Sequence, residues 1–504
     1  MARTLLVLGC LAVVGALVGA VLLVWRGPWW LDGHYLSTED LRSGSSALVT
    51  GFRTSVVQLF AVFGAGIALV FTAFNYRLTR RGQITDRFIK ALERLGSEEL
   101  YVRTGGVLAL EQIVQDAPDQ ATHAAQVLNA LLRRHAPRRT RADVPAARDS
   151  PHRGAVLLPE SPRDLPGKPE SDVQYALTAL TGPAVRRHAD PAQLLDLTEL
   201  HLAGARLDGA GLAHARLDRA DLTGARLGGA VLTHACLEGA VLAGAGLSRA
   251  DLTGARLDGA RLGHACLEGA VLAGAGLSGA DLTGAQLTAA DLTEAHLDGA
   301  RLAGARLDGA DLTGTHLSGA DLTGVHFNGL KLAGAHLAGA ILAGAWLVEV
   351  NLAHVWLHGV SFAGAHLDGA RLAGARLDGA DLTGAQLTAA DLTGARLDGA
   401  KLADTLLTGA TLAGVRLVGA DLVGARLINV DLTGADLSGA DLTGAHLDWA
   451  TLTDARLDGA DLRSARGLTV RQVVAARPTG GTGLPPRIAE DPRVLARMEG
   501  RAED

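Results

Sequence analysis

A leucine at every fifth position is the most regular feature of the chain. From Leu197 to Leu462 a Leu, occasionally replaced by Phe, recurs without a change of register, and an Ala stands two residues before it in most units. Neither regular element keeps this period on one face, because a helix repeats every ~3.6 residues and a strand every second residue. We therefore predict a corner every five residues. The Gly that ends most units gives the backbone the freedom that each corner needs.

The units of residues 375–387, ARLDGADLTGAQL, resemble the pentapeptide-repeat family, and this resemblance covers more than half of the chain. It implies an all-β fold for residues 197–467, a right-handed quadrilateral β-helix with four units in each coil and with Leu and Ala pointing inward. At about 4.8 Å per coil, roughly thirteen coils would form a rod about 60 Å long. A single coil buries too little Leu to fold alone, so both ends need caps. Residues 468–504, with a predicted helix from Thr469 to Ala476, resemble the C-terminal cap of this family.

Two long apolar runs precede the repeat. Residues 5–25 and 56–74 are each long enough to cross a bilayer, so residues 1–76 are predicted to form a two-helix transmembrane hairpin. Trp and Tyr residues between the runs are typical of a membrane interface, and Arg and Lys residues follow the second run, which places the remainder of the chain on the cytoplasmic side of the inner membrane. A cleaved signal peptide and a lipoprotein site at Cys10 are alternative interpretations of the first run.

Between the membrane segment and the repeat, the apolar residues fall at helical spacing. Residues 77–135 are predicted to contain three short amphipathic helices, the first beginning near Asp86. Clustered Pro and Arg in residues 136–171 predict a flexible linker, and residues 172–196 predict a further helix that leads into the repeat. The stretch from GQITDRF to IVQD, with DVQYALTAL, resembles a module of actinobacterial-type membrane pentapeptide-repeat proteins, which implies a small HEAT-like stack.

Composition supports this division of the chain. Apolar residues make up 48% of it but aromatic residues only 4%, so the apolar side chains must line a membrane span or stack in a regular array. The net charge of −6 and the lack of a basic tract give no indication of a nucleic-acid partner. Three Cys residues in 504 argue against a framework of disulfides.

The residue before each Leu alternates between two classes, so the true period is ten. ADLTG units carry Asp there, whereas the other units carry mostly Arg or His with an Asp two residues later. Units ten residues apart lie on opposite sides of a four-unit coil, which predicts two acidic faces and two locally neutral faces. The acidic faces contain Asp221, Asp251, Asp281, Asp291, Asp311, Asp321, Asp381, Asp391, Asp421, Asp431, Asp441 and Asp461.

The stretch from Val325 to Phe362 departs from the pattern. Outward positions hold apolar residues, which predicts an interaction patch at Ile341, Trp346, Val348 and Trp356. Inward positions are enlarged to Leu330, Val350, Val355 and Val360. A spacing of 20 residues places His326, Trp346 and His366 in one column and His296, His316, His336 and Trp356 in the opposite one.

The column of histidines suggests a metal site, but we predict none. Successive rungs are about 4.8 Å apart, which would bring neighbouring imidazoles within reach of one ion. No carboxylate is clearly gathered beside these histidines in the sequence, and Arg takes the same position in other units.

Motifs for catalysis or cofactor binding are missing from the sequence, so we predict no enzyme activity and no cofactor. The pattern favours a scaffold or binding rod at the cytoplasmic face of the membrane, with an unidentified protein partner or self-association. Two alternatives stay open. One is a structural spacer, and the other is a mimic of duplex DNA that regulates type II topoisomerase, as in members of the family that protect against quinolones.

Overall fold

The computed structural model describes residues 46–136, 168–188, 195–327 and 329–499, together with isolated helical positions between 15 and 26. Most of the first predicted span and residues 137–167 of the predicted linker lie outside the described residues. The chain divides into two compact units, residues 1–89 and 90–504.

Helix α1 spans Ser46–Leu95 and contains the second predicted transmembrane span. A separate amphipathic helix was expected to begin near Asp86, but α1 continues through this residue without interruption. No Pro lies in the helix, and Gly82, the one Gly after its apolar part, is tolerated within a helix. Within the described residues, one helix is long and apolar enough to cross a membrane. This is Thr54–Leu95, with a mean hydropathy of 2.2 in its most apolar window, none of which is buried.

A small helical module follows. It consists of α2 (Leu100–Asp116), a 3-10 turn (Pro118–Gln120), α3 (Ala121–His135), α4 (Ser171–Thr181) and α5 (Pro183–His188). Helix α4, which the sequence analysis assigned to a lead-in after the linker, packs against both α2 and α3. Its buried Leu177 joins Leu110 and Leu128 in a shared core, so α4 is part of the module.

A buried ion pair fixes α4 to α2. The Arg103 Nε donates to Asp172 Oδ2 over 2.6 Å, and both side chains are almost fully buried. Arg103 also donates to the Glu98 carbonyl over 2.7 Å and to the Glu170 carboxylate over 3.2 Å. The start of α4 is therefore held by charge as well as by apolar packing.

The repeat forms a coil of four units, as predicted. Parallel β-bridges join residues 20 apart along most of the solenoid, for example Asp221 with Val241, and single bridges take the place of extended strands in the part of the chain that is described. Inward Leu and Ala residues are buried, as at Leu222 and Ala225. This bridge register confirms four pentapeptides per coil, and repeats of this kind form a right-handed quadrilateral β-helix.

Four of the five backbone N–H groups in a typical unit donate to backbone carbonyls. In the Asp221 unit, the Asp221 N–H donates to the preceding coil, and the N–H groups of Leu222 and Gly224 donate to the following one. The fourth, on Ala225, closes a tight turn on the Leu222 carbonyl over 2.9 Å, with Gly224 at a φ of +61°. The fifth, on Thr223, donates to a side chain instead, and this determines much of the outer surface.

The helical module caps the first coil. N–H groups that would donate to a preceding coil find partners on the module instead: His201 on the Ala136 carbonyl (3.0 Å), Arg206 on the Gln174 side chain (2.8 Å) and Gly211 on the Thr181 carbonyl (3.0 Å). Buried backbone donors need such partners, because an unmade hydrogen bond is costly. The module and the solenoid therefore fold against one another.

The other end is closed by α6 (Val470–Ala475), α7 (Pro486–Ala489) and α8 (Pro492–Met498). Thr469 begins α6 in a capping box with Gln472. The Gln472 side-chain amide donates to the Leu447 and Ala450 carbonyls over 2.9 and 2.8 Å. The predicted C-terminal helix is confirmed, and it seals the last coils.

Candidate functional site: the outer columns of the solenoid

The residues that precede each Leu form four outer columns, whose members are 20 positions apart. Column I contains position 221, column II position 226, column III position 231 and column IV position 236. All twelve predicted acidic residues fall in columns I and III, which are opposite one another. The alternation read from the sequence therefore corresponds to real faces of the rod.

The carboxylates of these twelve residues are bound to the backbone. Each accepts the N–H group two residues later, at distances of 2.9 to 3.1 Å. In many units the Thr hydroxyl at that position donates to the same oxygen, as Thr223 does to Asp221 over 2.6 Å. The predicted acidic faces are thus built largely from turn-stabilising groups, each with one oxygen already engaged.

In the other class of unit, the Asp directly after the Leu accepts the backbone N–H that follows the Leu of the next coil. Asp258 accepts the N–H of Ser278 over 2.9 Å, and Asp298 accepts the N–H of Ser318 over 3.0 Å, in both cases 20 residues further on. Asp208, Asp218, Asp368 and Asp398 act in the same way. This role was not predicted from the sequence, although an Asp directly after the Leu of one coil is the signal for it.

Basic residues within the acidic columns neutralise part of the remaining charge. Lys331 Nζ lies 2.9 Å from Asp311 Oδ2, and Lys401 and Arg301 each lie 3.9 Å from the Asp one coil earlier. Exposed pairs of this type add little stability. They do, however, lower the negative potential that columns I and III present to a partner.

Hydrogen bonds to the ionised carboxylates lower several of their pKa values. The Thr393 hydroxyl, followed by the Thr393 N–H, lowers the pKa of Asp391, and hydrogen bonds from Arg463 lower the pKa of Asp461 to about 2. A lowered pKa means that the ionised form stabilises the folded state. That stability is complete above the ordinary Asp pKa of ~4 and is lost as pH falls through the lower value of the folded state.

We expect Asp391→Ala to destabilise the solenoid by about 1 kcal/mol, because the Thr393 N–H loses its acceptor. Asp391→Asn is the matched control, since its carbonyl oxygen can accept the same N–H group, as Asn351 does from Ala353 over 3.1 Å. Urea unfolding at pH 6 and pH 3 measures both effects. Asp391→Asn should lose less stability than the wild type between these pH values, and identical losses would contradict this account.

Two aromatic ladders cross the interruption in the repeat. In column II, Trp346 stacks between His326 and His366, with ring centroids 5.6 and 4.1 Å away. In column IV, the Arg376 guanidinium lies 4.4 Å from the Trp356 ring centroid, and His358 meets that ring edge-on. The bridge register confirms both predicted columns, and the aromatic side chains of column II are stacked across Trp346.

The four predicted patch residues do not form one surface. Trp346 and Trp356 are 46% and 53% exposed but lie in opposite columns. Ile341 in column I and Val348, at the corner after Trp346, are also exposed and lie closer to Trp346 along the chain. Among the enlarged inward residues, Val350, Val355 and Val360 are buried, whereas Leu330 is only half-buried.

A carboxylate does lie beside the histidine column, contrary to the expectation from sequence. Ligand atoms of His296, Asp298 and His316 all lie within 4.8 Å of one another. Asp298 is placed there because the corner after Leu297 directs it towards the next coil. In a second such group, His135 with Glu170 and Asp172, both carboxylates already accept hydrogen bonds from Arg103.

Trp449 was missed as an exposed residue because it occupies the corner position that usually holds Gly. It is 79% exposed with a φ of +56°. It borders an open cavity of about 610 Å³ at the C-terminal cap, which Asp448, Arg471 and Gln472 also line.

The model of the family described as pentapeptide repeats matches the chain in successive segments from 196–233 to 431–466. No curated protein matches. Among solved structures, full-length QnrB1, a plasmid-mediated fluoroquinolone resistance protein, is 20% identical, with 38% of this chain and 94% of that chain covered and a TM-score of 0.27. HetL, involved in heterocyst differentiation regulation in Nostoc sp. strain PCC 7120, is 33% identical, with coverage of 52% and 88% and a TM-score of 0.16. The family-model matches extend over more than half of the sequence, and the chain belongs to the pentapeptide-repeat family.

Proposed function

We propose that the solenoid is a non-catalytic binding rod that holds a protein partner, or a second copy of itself, through the surfaces around Trp346 and Trp356. The proposal depends mainly on the two aromatic ladders. The outer residues of the rod are otherwise mostly small or charged. The two ladders present large aromatic side chains, which contacts with neighbouring coils hold in place. Exposed, pre-ordered Trp residues are the side chains most often found at the energetic centre of protein interfaces.

Absence of catalysis is part of this proposal. The interior of the described coils is filled by Leu and Ala, and the regular carboxylates outside are engaged by backbone N–H groups. An active site needs convergent, partly free groups within a pocket. The arrangement of the coils instead supports a surface that binds.

Attachment to the inner membrane through two spans, with the solenoid in the cytoplasm, is the second part of the proposal. It is supported by the apolar part of α1 and by Arg77, Arg80, Arg81, Arg87 and Lys90 at its end. A topology reporter fused after residue 80 should be active on the cytoplasmic side. Activity on the opposite side would overturn this placement.

Mimicry of duplex DNA is less well supported. A mimic needs continuous negative charge along its faces, whereas Lys and Arg residues within columns I and III pair with some of the predicted Asp residues, as Lys331 does with Asp311. The full chain should therefore leave gyrase supercoiling unchanged at micromolar concentration. Inhibition of supercoiling would favour the mimic over the rod.

Co-purification from detergent-solubilised membranes tests the binding surfaces. We expect a stoichiometric partner with the wild-type chain, and loss of that partner with Trp346→Asp, Trp356→Asp or both, because a charge at an aromatic anchor disrupts its pocket. Gln386→Asp is the matched control, since it adds the same charge to column II two coils away. A partner kept by the double variant would refute the Trp surfaces. No partner at all would favour a structural spacer.

A further inference from the structure

We propose that His296, His316 and Asp298 form a binding site for a divalent transition-metal ion of the zinc class. His296 and His316 are successive members of column IV, and Asp298 lies at the corner that follows His296. The nitrogen and oxygen atoms that could bind an ion are all within 4.8 Å of one another. Small side-chain rotations would bring each of these atoms to about 2.0–2.2 Å from one shared zinc ion, which is the usual zinc–ligand distance.

The donor set matches the chemistry of zinc. Imidazole nitrogens and carboxylate oxygens are common zinc ligands, and three protein ligands with one position left to water make a complete coordination sphere. Two neutral imidazoles and one carboxylate would leave a single net positive charge on the bound ion. A hard ion such as magnesium prefers oxygen ligands and is a poorer match.

The coil holds these groups in place before any ion binds. The N–H of Ser318 donates to Asp298 Oδ1 over 3.0 Å, which orients the carboxylate and leaves Oδ2 for a metal. Support of this kind behind a ligating carboxylate raises metal affinity. The N–H groups of His296 and His316 each donate to the preceding coil over 2.9 Å, so both backbones are fixed.

The surroundings of the site favour entry of an ion. Gly276 precedes His296 in column IV and has no side chain, the Asp258 carboxylate lies beside Gly276, and His296 is exposed. On the other side, the ring of His336 stacks on His316 with centroids 4.9 Å apart, which supports the His316 imidazole. The site is therefore open towards solvent on one side and supported on the other.

Another pair of neighbouring histidines provides a comparison within the same rod. His214 and His234 stack with centroids 5.4 Å apart. Among the described residues, the groups able to hold a metal do not include this pair, because no carboxylate completes it. The pair His214 and His234 therefore shows how weakly two adjacent imidazoles bind a metal ion without a carboxylate.

Zinc titration of the full chain in detergent, purified without a histidine tag and stripped with EDTA, tests the proposal. Competition with a chromophoric chelator should show one zinc ion per chain at micromolar affinity or tighter. We expect at least tenfold weaker binding for His316→Ala and for Asp298→Asn, whose carbonyl oxygen can still accept the Ser318 N–H. The control His234→Ala should bind as the wild type does.

Two further measurements separate a lost ligand from a damaged fold. Without metal, Asp298→Asn should melt at the wild-type temperature, whereas zinc should raise the melting temperature of the wild type only. Cobalt(II) bound in place of zinc should give visible absorption bands that the two site variants lack. Binding that is absent in the wild type, or unchanged in both variants, would overturn the site.

Discussion

Replacing Leu407 with Asp is expected to unfold several coils, whereas the same substitution at the adjacent Leu406 is expected to leave the solenoid intact. Leu407 is fully buried, so the change removes a core side chain and places a carboxylate among Leu and Ala. We expect a loss of about 4 kcal/mol or more in unfolding free energy. Each coil contacts only its neighbours, so the damage should spread along the rod.

Leu406 is the control because it occupies the outward position that holds Asp in ADLTG units. It is partly exposed, and Thr408 follows two residues later, as Thr383 follows Asp381. An Asp at 406 can accept the Thr408 N–H in the same way. Hydrogen exchange followed by mass spectrometry measures both variants coil by coil. Similar protection in the Leu407 variant and the wild type would contradict a core built from these leucines.

Removing either partner of the ion pair between Arg103 and Asp172 is expected to release α4 from the helical module. Arg103→Ala or Asp172→Ala leaves one buried charge without its partner, which typically costs about 3 to 5 kcal/mol. Because α4 supplies the acceptors for the Arg206 and Gly211 N–H groups, exchange should rise both in α4 and in the residues from Arg206 to Gly211. The readout is amide exchange in these segments.

Two variants control this experiment. Arg493→Ala removes an exposed ion pair with Asp491 and should leave the stability of the fold almost unchanged. Arg103→Met combined with Asp172→Leu removes both charges and should recover part of the stability that a single change loses. If Arg103→Ala behaved like Arg493→Ala, the buried pair would have no role in holding the cap.

Several features of the fold were predictable because they depend on local periodicity. The period of five and the alternation of Asp units follow from spacing alone. Four units per coil, on which the two columns of Asp depend, was implied by the resemblance to the pentapeptide-repeat family, and the β-bridges confirm it. Docking of the module on the first coil was not predictable, since it joins Ala136 and Thr181 to His201 and Gly211 across the linker. The continuous α1 was missed because apolar periodicity changes within it while nothing breaks the helix.

In the candidate sites, too, positions along the sequence were predictable, whereas contacts between coils were not. Spacing placed Trp346 and Trp356 in their columns but did not reveal the stacking partners above and below them. Likewise, spacing identified the acidic residues but not the direction of each carboxylate, which depends on the fifth N–H group of the unit. Asp298 escaped notice because a corner residue meets the next coil only in three dimensions.

The four-unit coil makes distance along the sequence equivalent to direction around the rod. A copied segment of 20 residues lengthens the rod and leaves every later column pointing as before, whereas a segment of 10 turns all later columns by half a revolution. Cys236 and Cys266, from two near-copies 30 residues apart, accordingly lie on opposite sides, in columns IV and II. Gain or loss of units between the N-terminal cap and Trp346 thus changes the direction in which the aromatic surfaces face relative to that cap. The residues that form these surfaces do not change.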